Sequence, residues 1–345
     1  MKYKCLAAAL LSSLPLFATA QSNVQIYGVM DAAIAIEDTD APGTDRRTTV
    51  SSGNQSSSRL GFRGTEDLGN GLKAMFNIES GVSLDTGAAD STMWGRRAVV
   101  GLQGQFGTMT VGREYSPIAA VAAATDILGQ GMYGSNLSAF SGNNRMTRRL
   151  SNSVNYKSNS LSGFTVNAAY STGEVAADNA PSADLMGISL EYKNSNLYLG
   201  AGYHQLERVL PGDDKEMAFG AGFTFGDFEI KGNYMKAEPE ALPEYTNANI
   251  GVSYTTGANK FFVNFQQQKL DNTDAKGNTV SVAYTYALSK RTNIYTTYAQ
   301  LRNNGSAIFA INSSSNNVTP VSNPTTVSAA GSDPSVFTVG LRHSF

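Results

Sequence analysis

The sequence predicts an all-β chain, a 16-stranded antiparallel transmembrane β-barrel. Three observations predict it. Segments of about ten residues alternate apolar and polar side chains from Val24 onward, about the length of a tilted membrane-crossing strand. The connectors between them alternate short and long. The last stretch, Phe337 to Phe345, sets Phe337, Val339, Leu341 and Phe345 on one face and Thr338, Gly340, Arg342 and Ser344 on the other. A closed barrel pairs its last strand with its first so that no edge stays unpaired, and an aromatic residue at a strand tip fits that demand.

The N-terminus reads as an export signal. Lys2 and Lys4 precede the apolar run Leu6 to Phe17, and Ala18-Thr-Ala20 is a small-residue cleavage site. Residues 1–20 are therefore expected to be a cleaved signal peptide, and 21–345 a single barrel domain. Cys5 is the only cysteine, so the mature chain is expected to hold no disulfide in an oxidising compartment.

The first strand sets Val24, Ile26, Gly28, Met30, Ala32, Ile34 and Ile36 on one face, against Gln25, Tyr27, Val29, Asp31 and Glu37. The same alternation returns at Leu60 and Phe62 against Arg59 and Arg63, and at Leu72 to Ile78 against Lys73 to Glu79. Later copies run from Phe164 to Tyr170 through Ile294 to Tyr298. Seven short, turn-rich connectors (such as Gly226-Asp227) and eight long polar ones separate them, so 7 + 8 + 1 gives 16 strands. Short turns on one rim and long loops on the other is a membrane-barrel layout, and no boundary splits the chain in two.

Composition excludes other classes. Without Lys2 and Lys4 the chain carries 24 basic and 28 acidic residues, a formal charge of 24 − 28 = −4, unsuited to nucleic acid. The histidines, His204 and His343, are far apart, and no Cys/His cluster suggests a metal. Gly220-Ala-Gly222 precedes no helix, so a phosphate loop is not indicated. No nucleophile elbow appears. No catalytic site, cofactor or metal is expected. A membrane-barrel hydrolase would have to rely on His204, the sole internal histidine.

The chain resembles the general (non-specific) porins of Gram-negative bacteria, particularly the β-proteobacterial branch. The resemblance rests on Val24-Gln-Ile-Tyr-Gly28, Ser58-Arg-Leu-Gly-Phe-Arg-Gly-Thr-Glu-Asp-Leu-Gly-Asn-Gly-Leu-Lys-Ala74, Arg96-Arg-Ala-Val-Val-Gly-Leu102, Gly107-Thr-Met-Thr-Val-Gly-Arg113 and the terminal Phe345. It implies a homotrimer in the outer membrane, with a third loop folded inward as a pore constriction. It also implies contact with outer-membrane lipids, and assembly by the barrel-assembly machinery through the strand ending in Phe345. The implied function is passive diffusion of ions and small hydrophilic solutes. A substrate-specific sugar or organic-acid channel is the alternative.

Connector 116–144 is the candidate third loop, because it is long, small-residue-rich and carries one charge, Asp126. Arg59 and Arg63 lie opposite Leu60 and Phe62. An arginine on the lipid face costs about 2–4 kcal/mol at midplane, so both are expected to face the lumen. The resemblance implies Arg59, Arg96 and Arg149 as pore-wall arginines, with Arg97 and Arg148 as adjacent alternatives. Alternation with Val100 and Leu102 favours Arg97 over Arg96 as the inward one. The first acid of the family's third loop matches Asp126, the second position holds Gln130, and Glu114 is a partial substitute. With arginines facing one loop acid, an anion-preferring constriction is expected.

Overall fold

The computed structural model describes residues 23–141, 145–175, 180–208 and 212–345. The expected signal peptide lies outside the described residues. The first eight strands are β1 (Asn23–Asp38), β2 (Arg47–Ser52), β3 (Arg59–Gly69), β4 (Leu72–Gly81), β5 (Arg97–Gly104), β6 (Gly107–Tyr115), β7 (Arg149–Lys157) and β8 (Phe164–Ser171). Then come β9 (Leu185–Lys193), β10 (Leu197–Leu206), β11 (Asp214–Phe225), β12 (Phe228–Glu238), β13 (Tyr245–Thr256) and β14 (Asn259–Leu270). The series ends with β15 (Ala275–Ala287), β16 (Thr292–Asn303), two short strands, β17 (Ile311–Asn312) and β18 (Asn317–Val318), and β19 (Ser335–Ser344).

All but β17 and β18 form one closed 17-stranded antiparallel sheet. β1 pairs with β2 over Ala32–Glu37 and with β3 over Asn23–Val29, so β2 and β3 are halves of one crossing strand. Counted so, 17 − 1 = 16 strands circle the barrel. Closure runs from Val29↔Ser344 to Asp38↔Ser335, pairing the first strand with the last.

The alternation decides which face meets lipid. Ile34 is 58% exposed while its neighbours Ala33 and Ala35 are buried, and Val100 is 61% exposed beside buried Val99. With no water in the membrane core, only strands that satisfy every backbone group by pairing can present such a surface. Ring pairs outside the short-turn rim, including Phe225–Phe228 at 5.5 Å and Phe261–Tyr284 at 5.0 Å, form an aromatic girdle.

The described residues of connector 116–148 do not run over the rim. Its helix α1 (Pro117–Ala124) starts with Pro117 at the first turn, and the Ser116 Oγ accepts the Ala119 amide at 3.3 Å. The Ile118 amide donates to the Nε2 of His204, an inward-facing residue of β10, at 3.3 Å. Downstream, wall amides take the loop's free carbonyls: Asn233 Nδ2 donates to Thr125 O, Asn264 Nδ2 to Gly134 O, and Gln266 Nε2 to Ser135 O. Irregular backbone at membrane depth needs such partners. The wall makes room with glycine. A Cβ on Gly220 would stand 2.5 Å from Thr125 Oγ1, and one on Gly251 would collide with Ile127. Neither glycine belongs to a phosphate loop; both give the third loop its seat.

The eighth connector, 304–334, also turns inward. Its β17–β18 hairpin is tied to the third loop by Gly134 N to Asn312 O at 3.0 Å and Ser314 N to Gly131 O at 2.7 Å. It is tied to the break between β2 and β3 by Ser57 Oγ to Ser314 O at 2.9 Å and by Asn316 Nδ2 to Ser52 O at 2.6 Å.

Candidate constriction site in the lumen

Between the third loop and the wall formed by β3 to β7, five guanidinia gather. Arg59, at the start of β3, lies 3.5 Å from a Glu79 carboxylate oxygen and donates to Ser57 O at 3.0 Å. Arg96 donates to the other Glu79 oxygen at 2.6 Å and to the Tyr115 hydroxyl at 3.2 Å. Arg97 donates to Glu114 Oε2 at 2.9 and 2.5 Å. Arg149 donates to the Tyr115 hydroxyl at 3.1 Å, and Arg148 donates to Gln130 Oε1 at 3.0 Å.

Arg96 and Arg97 both reach this space. Arg97 points inward by strand alternation. Arg96 precedes β5, where the chain is still in the second loop, so the strand parity that opposes it does not apply. Burial and the adjacent Arg149 push Arg148 down, to about 10, which leaves it protonated at neutral pH. Arg63 stands apart. Four residues further along β3, its Nε donates to Gln25 Oε1 at 3.0 Å and its guanidinium lies 5.0 Å from the Tyr27 ring centroid. It faces inward toward the short-turn rim and is not one of the five.

Asp126 is placed differently from the sequence expectation. It is 1% exposed, and its carboxylate accepts the backbone amides of Leu128 at 2.8 Å, Asn136 at 2.9 Å and Gln130 at 3.3 Å. Burial pushes this carboxyl up to about 6 while the three amides pull the other way, so it is ionised at pH 7. A loop that folds back on itself strands several N–H groups, and a carboxylate is a strong acceptor for them. Composition shows one acid in a long connector but not that the loop's own backbone takes it. Gln130 is the third-loop group turned to an arginine.

Glu79 and Tyr115 join the site without having been singled out as its members. The alternation marks Glu79 as a polar-face residue of β4, and nothing in the sequence marks Tyr115. Arg342, inward on β19, donates to Ser56 Oγ at 2.8 Å and adds a sixth cation nearby. His204 is fully buried, its Nδ1 lies 2.9 Å from Glu216 Oε2, and its Nε2 holds α1. That leaves no imidazole nitrogen free for hydrolysis.

Cavities overlap along the lumen, each sharing a basic residue with the next. Arg148 joins the loop-side cavity to the one holding Arg59, Arg96 and Tyr115. Arg97 links that to a cavity below α1, and Lys157 links this in turn to one opening among Lys193 and Lys231. A basic residue thus stands at each border between neighbouring cavities.

The model of the Gram-negative porin family matches residues 7–306. The chain belongs to the Gram-negative porin family. Outer membrane porin protein 32 of Delftia acidovorans is 29% identical across all of both chains. An outer membrane porin protein of Bordetella pertussis is 30% identical, with 86% of this chain and 93% of the relative covered. Among solved structures, the anion-selective porin from Comamonas acidovorans superposes with a TM-score of 0.82 at 27% identity, covering 94% of this chain and all of that one. This porin is an outer-membrane protein, and its family consists of channels rather than enzymes.

Proposed function

We propose that this porin is a trimeric, water-filled channel for passive diffusion of small hydrophilic solutes, preferring anions. Arg59, Arg96, Arg97, Arg148 and Arg149 form the selective constriction, Arg63 continues the basic wall, and Glu79 and Glu114 are the acids that offset them. The observation that carries the reading is the local charge balance. Four guanidinia (Arg59, Arg96, Arg97 and Arg148) and one carboxylate (Glu79) line one cavity, 4 − 1 = +3, with Arg149 and the Arg97–Glu114 pair at its borders, though the chain as a whole is acidic. Charge at the constriction governs selectivity, because low-dielectric walls focus the field there. Asp126 adds a charge behind the loop backbone and not at the channel surface. The anion-selective porin of Comamonas acidovorans has the same fold, and an outer membrane protein of Vibrio cholerae with that fold has a trimer form. The aromatic stacks lie mostly outside the barrel and no ladder of rings follows the lumen among the described residues, which favours general diffusion over a sugar-specific path.

The test is a reversal-potential measurement in a planar bilayer under a potassium chloride gradient. Chloride should permeate better than potassium, most strongly at low salt, because screening acts over about 10 Å at 0.1 M. A wild-type channel that prefers potassium at low salt overturns the reading.

A further inference from the structure

Tyr115, the last residue of β6, stands where three like charges converge. Its hydroxyl oxygen accepts from Arg96 Nη2 at 3.2 Å and from Arg149 Nη2 at 3.1 Å. Its ring centroid lies 4.8 Å from the Arg149 guanidinium and 5.7 Å from that of Arg148. Guanidinia this close repel one another, and a carboxylate between them would hold them together only by cancelling their charge. A neutral phenol does it otherwise. It accepts hydrogen bonds through its oxygen and offers the negative face of its ring, and the cluster keeps its full positive charge.

The hydrogen-bond inventory of the phenol is then uneven. A phenolic oxygen has two acceptor sites and one proton to give. Both acceptor sites are occupied by charged donors, while among the described residues no acceptor receives the Tyr115 proton. The side chain is only half-buried and lines the same cavity as Arg59, Arg96 and Arg148. Accepting two charge-assisted bonds polarises the O–H and makes it a stronger donor in its turn.

We propose that Tyr115 is a specificity-determining residue of the channel: it gathers Arg96, Arg148 and Arg149 into one face and donates its own O–H to the permeating anion. The inference rests on the anion-channel reading and adds a preference within the anions. Guanidinia attract any anion by charge, whereas a polarised phenol rewards a strong hydrogen-bond acceptor. Formate and nitrate are both small, planar and singly charged, but formate accepts hydrogen bonds far better.

The experiment compares wild-type, Tyr115→Phe and Tyr115→Leu channels in planar bilayers, reading chloride-over-potassium and formate-over-nitrate permeability ratios from reversal potentials. Tyr115→Phe keeps the ring and loses the hydroxyl. Its formate-over-nitrate ratio should fall roughly threefold, in line with the loss of one hydrogen bond, and by more than its chloride-over-potassium ratio. Tyr115→Leu, which loses ring and hydroxyl, should lower both, and it carries the test if the phenylalanine variant does not assemble. An anion-preferring wild type whose formate-over-nitrate ratio is unchanged in either variant overturns the role of Tyr115 alone. A wild type that prefers potassium overturns the anion-channel reading and this inference with it.

Discussion

Gly28 and Phe345 exchange both of their backbone hydrogen bonds, Gly28 N to Phe345 O at 3.2 Å and Phe345 N to Gly28 O at 3.1 Å. The terminal ring lies over the glycine, where a Cβ would stand 2.5 Å from its Cζ. The final residue thus extends the closing ladder one pair beyond Val29↔Ser344 and covers a gap in the outer wall. Deleting Phe345 removes that pair and the ring that covers the gap. The yield of heat-modifiable folded trimer in outer membranes should drop severalfold, and Gly28→Val should lower it as well by displacing the ring. Wild-type trimer levels in the deletion would count against the terminal strand's role.

The buried pair of His204 and Glu216 gives a second prediction. Glu216 also accepts Thr147 N and Thr147 Oγ1, both at 2.9 Å, so the pair holds both ends of the third loop. His204→Ala leaves Glu216 and the Ile118 amide short of a partner, at a cost of about 1–3 kcal/mol each way a buried group is orphaned. The barrel should still close, because sixteen strand pairings are untouched. The loop should loosen, seen as larger single-channel current noise and easier protease cleavage within 116–148. Quiet, wild-type channels from His204→Ala would refute the anchor.

The inward hairpin of the eighth connector bears on pore size rather than on charge. Replacing 311–318 with a short Gly-Ser link removes the contacts to Gly131, Gly134, Ser52 and Ser57 but no member of the arginine cluster. Single-channel conductance should rise, while chloride preference should persist in weaker form as the mouth widens. A conductance equal to wild type would place the hairpin outside the conducting path.

The barrel was legible because a strand's period is two: along each crossing one side chain in two faces lipid and is mostly apolar, with His343 a break near the end of the last row. The same rule puts Arg59 and Arg63 on the face opposite Leu60 and Phe62. What escaped depends on where loops return. The role of Asp126 is set by the amides of Leu128, Gln130 and Asn136, and the need for Gly251 is set by Ile127, more than a hundred residues earlier. Strand parity gave Arg97 and could say nothing of Arg96, which lies outside the strand. The composition of 303–334 marks a loop and carries no sign that its hairpin folds into the barrel mouth.

The charge assignments separate channel-surface groups from buried ones. Arg59→Ala and Arg149→Ala each remove a cation that borders the path, so each should move the reversal potential toward cations. Glu79→Gln frees Arg59 and Arg96 from their shared acid and should move it toward anions. Asp126→Asn should act in the same direction as Glu79→Gln but less, because its carboxylate lies behind the loop backbone. Its raised pKa adds a pH arm. As pH falls from 7 to 5 the carboxyl takes up a proton near pH 6, a negative charge close to Arg148 disappears, and anion preference should increase. In Asp126→Asn nothing titrates at that site, so the part of the shift centred near pH 6 should be missing. A pH profile identical in wild type and Asp126→Asn would remove Asp126 from the electrostatics of the channel, and an Asp126→Asn shift larger than that of Glu79→Gln would return it to the channel surface.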